Sequence, residues 1–436
     1  MTALSRQNSP KRASIPRTAL MLLPIQAIFR GGEALLPIFL AAWFGASSET
    51  NLYYVLSAYF VFAGAILTGA FQDSAAVSVL VEVGKQAPAR LPELAGSLFG
   101  YTLAVGLAVG VVMGGLAAAV ASFATPLRTL AFELLIVMSA GAVATAIRAF
   151  YVGVLNAQGA FYAHPVGSGI GMAVTWIILA LGRHALGVRV IPIGMLAGEV
   201  CGIVLLAAIA SRVLRFRIVP NLRRPEPLRR IFSLVRLEVA GSLITRINPV
   251  IDQLMAGLAG VVGGGTLLRY ATDIAALPTS ILQATVFPVL LTRLSHEAKH
   301  PAEFLQTTRR TLAAVVGLLI VASAVLWAVR GPLATLLFSH GAMDRAAVRR
   351  IAAILPWALF GVAPFGALLV LARAHVAAQN SRIMPAMGAL NSILNALFNA
   401  IFVGPLGLSG IALSTSLTYV VVAIVFWVRL PRVARA

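Results

Sequence analysis

Charge is scarce in this sequence. Of 436 residues only 11% are Asp, Glu, Lys or Arg, against about 25% in a soluble domain. Acids are the scarcer kind, 14 against 34 bases, for a formal net charge of +20. Cys201 stands alone, which excludes an intramolecular disulfide framework and a cysteine-clustered metal site. No G-x-x-x-x-G-K-[ST] loop offers backbone N–H groups to nucleotide phosphates, so the chain has no sequence signature of ATP-driven work, and no H-E-x-x-H pair offers a zinc site. The six histidines are scattered; the one close pair, His296 and His300, sits in a basic stretch with Lys299 between them.

What fills the chain instead is apolar. The hydrophobic fraction is 59% and the mean hydropathy +0.92. A water-soluble enzyme needs more polar surface, so the fold class expected is an all-α polytopic membrane protein. At ~20 apolar residues per crossing, the sequence divides into about twelve spans: 19–45, 51–81, 93–124, 128–155, 161–182, 188–212, 234–258, 264–290, 308–338, 345–372, 376–402 and 408–430. Residues 1–18 form a basic tail. The first apolar stretch is too long, and too interrupted by Arg30 and Glu33, for a cleaved signal peptide. Most bases fall on one side of this plan, including Arg6, Lys11, Arg12, Arg17, Lys85, Arg90 and the arginines from Arg212 to Arg236. Cytoplasmic loops carry the excess of Lys and Arg, so both termini are expected in the cytoplasm. The charge therefore states an orientation, and no nucleic-acid partner is expected. Arg330, Arg345, Arg349 and Arg350 oppose the rule locally, on an outer segment with Asp344 as its one acid.

Two lobes are expected. The most hydrophilic connection, 213–233, holds six arginines from Arg215 to Arg230 and three prolines, and lies near the middle of the chain. It reads as a basic linker at an anionic lipid surface, between an N-lobe at 19–212 and a C-lobe at 234–436. The lobes share weak repeats at nearly one offset, about 215–220 residues. Gly45 matches Gly260, Gly187 matches Gly407, Gln158 matches Gln379, and Arg30 matches Arg246. Six helices per lobe puts both in one orientation. The result is a pseudo-twofold axis along the membrane normal with a pathway between the lobes.

Ionisable residues at membrane depth are costly and mark functional sites. Arg30 and Glu33 share a helix face in span 1. Glu238, Arg246, Asp252, Arg269 and Asp273 fall in spans 7 and 8; Glu133, Arg148 and Glu199 fall in spans 4 and 6. Such groups either neutralise one another or face a wet central cavity. A second group is neutral. Asn391 and Asn395 share one face of span 11, Thr415 opens span 12, and Asp252 completes the set. One carboxylate with oxygen donors suits a small hard cation. Interhelical hydrogen bonding is the plainer use of the same residues.

These residues also resemble a family. Phe44-Gly-Ala-Ser followed by Thr50-Asn-Leu-Tyr-Tyr, then Gly69-Ala-Phe71, is similar to the opening of the MurJ/MviN lipid II flippases. Asn248-x-x-x-Asp252, Tyr270-Ala271, Leu277-Pro278 and Pro288 resemble the family's spans 7 and 8. Leu337-Phe338 with Gly341-Ala-Met resembles its outer turn. Gly407-x-x-Gly-Ile-Ala-Leu-Ser-Thr415-Ser resembles the start of its span 12. The resemblance implies export of an undecaprenyl-diphosphate-linked saccharide from the bacterial inner membrane. Diphosphate would be held by arginines, Arg30 first among them, and a sodium site would be formed by Asp252, Asn391 and Thr415. The chain departs from the family in several places. The family's second arginine is Leu36 here, the acid of its T-D-x-F-F motif is Asn51, and the arginine of its second span falls at Gly64. The arginine of its Y-A-x-R motif is Asp273, and Asn395 stands for an acid of the sodium site.

The expected protein is thus a flippase rather than an enzyme. Its substrate contacts are expected from Arg30, Glu33, Asn51, Arg246, Arg269 and Asp273. Its coupling ion, Na+ or H+, is expected at Asp252, Asn391, Asn395 and Thr415, with no other cofactor. Its expected partners are the bilayer, a lipid-linked saccharide and a cell-wall or polysaccharide biosynthesis complex. The alternatives are an O-antigen or exopolysaccharide flippase, a cation-coupled drug antiporter, and a scaffold that no longer transports.

Overall fold

The computed structural model describes residues 31–71, 75–122, 125–232, 247–297, 300–378, 380 and 383–433. Arg30, Glu238 and Arg246 lie outside them. Among the described residues the regular structure is helical: α1 (Gly31–Phe44), α2 (Ser48–Phe71), α3 (Ala75–Gln86), α4 (Leu91–Ala121), α5 (Arg128–Ala157), α6 (Ala163–Leu186) and α7 (Val190–Leu214). After α8 (226–232) come α9 (Asn248–Leu258), α10 (Gly264–Glu297), α11 (Pro301–Ala328), α12 (Arg330–Phe338), α13 (Arg345–Phe360), α14 (Val362–Ala377), α15 (Ile383–Leu406) and α16 (Leu408–Val433). Eight stretches are long and apolar enough to cross a membrane, and one of them, Ala163–Leu214, contains both α6 and α7. The larger number expected from the sequence also included 264–290, which carries Arg269 and Asp273. It included spans 1 and 7 as well, of which α1 and α9 are the described parts.

In the N-lobe α4 packs on α5, α6 on α7, and α5 on both α2 and α7. In the C-lobe α15 packs on α16, and α14 on α10, α11 and α16. Lipid tails are as apolar as Leu, so membrane helices associate through close backbone approach and interhelical hydrogen bonds. The α6–α7 pair is built that way. Gly167 and Gly171 face Gly194, Gly198 and Gly202, and a methyl on Gly171 would sit 2.8 Å from the Gly198 carbonyl oxygen. The Thr175 hydroxyl lies between the helices, 3.0 Å from the Gly171 oxygen and 3.1 Å from the Gly194 oxygen. Gly198→Leu is therefore expected to lower the thermal unfolding midpoint in detergent, by a destabilisation of about 3 kcal/mol or more from overpacking. Gly317→Ala in α11, where a methyl meets nothing within 4 Å, serves as the control. It is expected to be neutral or to stabilise by up to about 1 kcal/mol.

The repeat seen in the sequence is physical. Gly187 and Gly407 each end a helix hairpin with the same left-handed φ of 56°, and Gly45 and Gly260 turn with φ of 64° and 70°. Only glycine takes such angles without steric cost. Residues separated by the repeat offset also meet. Tyr54 of α2 and Tyr270 of α10 are 216 positions apart, and their hydroxyls lie 3.5 Å from each other.

Two helix interruptions were not expected. The 308–338 stretch breaks between α11 and α12. The 345–372 stretch breaks at Gly361, between α13 and α14. Pro364, lacking an N–H, cannot donate to the Phe360 carbonyl. The Gly361 N–H bonds to the Ala358 oxygen at 3.1 Å, and the Ser416 hydroxyl of α16 bonds to the Trp357 oxygen at 2.7 Å.

The basic connection is docked on the N-lobe. Its backbone runs along α4, where Gly96 and Gly100 leave room for residues 219–221. Asn221 N–H donates to the Gly96 oxygen (3.1 Å), Ser97 Oγ to Asn221 Oδ1 (2.7 Å) and Tyr101 OH to the Leu222 oxygen (3.2 Å). Leu228 and Ile231 are buried in the N-lobe core.

Candidate functional site

A cavity of about 630 Å³ lies between the lobes. Its N-lobe wall is α2, with Tyr54, Ser57, Ala58, Val61 and Phe62. Its C-lobe wall includes Asp252 and Gln253 of α9, Arg269 and Thr272 of α10, Asn391 of α15, and Thr415 and Tyr419 of α16. A smaller cavity of about 180 Å³ lies inside the C-lobe, and Asp252, Thr272, Thr415 and Tyr419 border both.

Between the two cavities is a polar network. Asp252 Oδ1 accepts from Asn399 Nδ2 at 2.9 Å, and Asp252 Oδ2 accepts from the Thr415 hydroxyl at 2.9 Å. Asn395 Nδ2 donates to Thr415 Oγ1 at 3.0 Å, and Asn399 Nδ2 to Asn395 Oδ1 at 3.2 Å. Asn391, Asn395 and Asn399 recur at intervals of four, one face of α15. The structure thus brings together Asp252, Asn395 and Thr415, with Asn391 one turn away. It adds Asn399, which the sequence reading passed over although the same spacing points to it. The donor chemistry fits a hard monovalent cation. Every group offers oxygen, and the side-chain oxygens of Asn391 and Asn399 are buried without a hydrogen-bond partner. No group of three His, Cys, Asp or Glu exists among the described residues.

The charged candidates are distributed differently. Arg269 Nε lies 3.0 Å from Asp273 one turn along α10, and Arg269 lines the larger cavity. Asp273 is thus a carboxylate that pairs with an arginine one turn earlier. Arg148 of α5 pairs with Glu199 of α7 at 2.7 Å, and Arg189 with Glu133, so these four neutralise each other within the N-lobe. Glu33 is exposed in the first turn of α1. Asn51 contacts the other lobe: its Oδ1 accepts from the Gly265 N–H at the start of α10, at 2.7 Å.

That contact belongs to a set that joins the two lobes one turn beyond Tyr54, at one end of the larger cavity. The Ala342 N–H donates to the Ala42 oxygen at 2.7 Å. Gly341 packs against the same Ala42 carbonyl and Gly263 against that of Ala46; a methyl on Gly45 would lie 2.6 Å from the Ala342 oxygen. Beneath these turns Tyr54 meets Tyr270 edge to face, and Tyr270 stacks on Phe338 at 5.0 Å.

Apolar helices long enough to cross a membrane, packed with a cavity between the N- and C-terminal halves, define a multi-pass helical membrane protein. Solved structures with the same fold include "Lipid II flippase MurJ, inward closed conformation", with TM-score 0.78 and 19% identity, covering 94% of this chain and 87% of that one. An inward-facing multidrug resistance MATE family transporter of the MOP superfamily has TM-score 0.75 and 16% identity, covering 96% and 99%. A MOP superfamily transporter from Pyrococcus furiosus has TM-score 0.64 and 16% identity, covering 97% and 96%. At these identities the likeness shows the fold alone. No curated protein matches by sequence. The family described as lipid II flippase MurJ matches residues 40–435, and the chain belongs to it.

Proposed function

We propose that this protein carries a lipid II-like, polyprenyl-diphosphate-linked saccharide across the bacterial inner membrane by alternating access. Supporting this reading is the cavity between the lobes, sealed at one end by backbone contacts from both, with a guanidinium on its wall. Arg269 is held in place by Asp273, which it can exchange for a diphosphate, because the guanidinium fork matches phosphate oxygens. The Asp252 network, with its partnerless amide oxygens, takes a small monovalent cation that couples the cycle. Charge-assisted hydrogen bonds contribute about 1.5–3 kcal/mol each. Arg269→Gln is therefore expected to slow lipid flipping in proteoliposomes roughly 10- to 100-fold, with Arg269→Lys intermediate. Unchanged flipping in Arg269→Gln would remove the residue from the substrate path.

One observation favours a second reading, a cation-coupled drug antiporter: the cavity is walled mainly by apolar side chains and presents the Asp252 carboxylate. Binding of a lipophilic cation, with none of a polyprenyl diphosphate, would decide for it. Binding of diphosphate lipid without flipping would instead identify a scaffold.

A further inference from the structure

The outer arginines remain unexplained by transport through the cavity. Arg345 opens α13, and Arg349 and Arg350 follow one turn on. All three are exposed and have no ion pair or hydrogen bond among the described residues. Three tendencies oppose this arrangement. Bases are disfavoured on the outer side, like charges at i and i+4 repel, and cations at a helix start oppose its dipole. The adjacent acid does not relieve them: Asp344 is engaged as the N-cap, accepting from the Ala347 N–H at 2.5 Å. Arg330 is different, since it bonds to the Trp327 oxygen and stacks on that indole at 4.9 Å. Sites where several local rules fail together, with no internal compensation, are where function is expected.

Position narrows the function. The α12–α13 turn is the segment that seals the cavity: Gly341 and Ala342 touch Ala42, and Arg345 lies three residues beyond. The opposite face of α13, with Ile351, Ile354 and Leu355, is buried in the C-lobe core. The arginine face therefore sits beside the contact with Ala42, at the mouth from which a substrate would leave. Three guanidiniums within two turns match a group with more than one negative charge better than the single charge of a phosphodiester lipid.

We propose that Arg345, Arg349 and Arg350 form an outer-leaflet binding site for the diphosphate of the exported lipid. It would hold the product beside the seal after release from the cavity. This rests on the flippase reading, and its test separates the two. The full-length protein in nanodiscs is photolabelled with a diazirine-bearing farnesyl diphosphate, and in parallel with a diazirine-bearing phosphatidylglycerol. The diphosphate probe is expected to label residues 339–353 and, separately, the cavity segments around Tyr54 and Arg269. Combining Arg345→Gln, Arg349→Gln and Arg350→Gln, all at exposed positions, is expected to reduce the first labelling at least tenfold and leave the second unchanged. Equal labelling of 339–353 by phosphatidylglycerol, or labelling that survives the triple substitution, would overturn the site while leaving the flippase reading in place. No diphosphate labelling at either place would overturn both.

Discussion

Asp252→Ala is expected to abolish coupled transport and to remove any stabilisation of the protein by sodium. The carboxyl is the one ionisable group of the C-lobe network, and it fixes Asn399 and Thr415 from both its oxygens. Without it those two donors lose their acceptor inside the membrane, at about 1–3 kcal/mol for each buried group left unpaired. The cation loses its only formal counter-charge. A ligand at 100 times its dissociation constant stabilises the folded state by about 2.7 kcal/mol. The native protein should therefore unfold at a higher temperature in sodium than in choline, and Asp252→Ala should unfold at the same temperature in both. Asn395→Asp supplies the complementary result. It places a second carboxylate beside Thr415, and the sodium-dependent shift should then appear at lower sodium concentration. A sodium effect of equal size in Asp252→Ala would refute the site.

Much of this was legible in the sequence because membrane folding is constrained so tightly. The hairpin glycines and the bonding of Asp252 to α15 and α16 follow from glycine position and four-residue spacing. Gly187 and Gly407 matched in the sequence and adopt one backbone angle in the structure. Part of what escaped was decided by tertiary partners. Nothing local to Asn51 shows that it caps α10 of the other lobe, because Gly265 is 214 residues away. Arg148 reads in the sequence as either neutralised or cavity-facing, and only the fold shows that its partner is Glu199, 51 residues on. The break at Gly361 had a local signal in Pro364, but a span-length window of hydropathy averages over it. Asn399 had the same spacing signal as Asn391 and Asn395, and was missed only because the sodium-site resemblance ends at Asn395.

Gly341→Val is expected to prop apart the end of the cavity where α1 meets the α12–α13 turn. The wild-type turn takes φ of 63° at Gly341, where a β-branched residue is strained. Its Cβ would also fall on the Ala42 carbonyl, a backbone atom that cannot move aside without moving α1. Left-handed backbone costs a non-glycine residue about 1–2 kcal/mol, and overpacking adds about 1–3 kcal/mol. The overpacking penalty acts only while the contact with Ala42 is made. That cost of about 1–3 kcal/mol shifts the closed-to-open ratio by about 5- to 150-fold. Spin labels at Ser48→Cys and Ser339→Cys, both exposed, with Cys201→Ser removing the native thiol, would read the change. The short distance should dominate in the otherwise native chain and a longer one in Gly341→Val. Transport should fall by a comparable factor, since an alternating cycle requires the seal to re-form in every turn. A variant that keeps the short distance and still transports would mean that the Gly341–Ala42 contact is packing without a gating role, and the outward path would have to be sought elsewhere between α2 and α10.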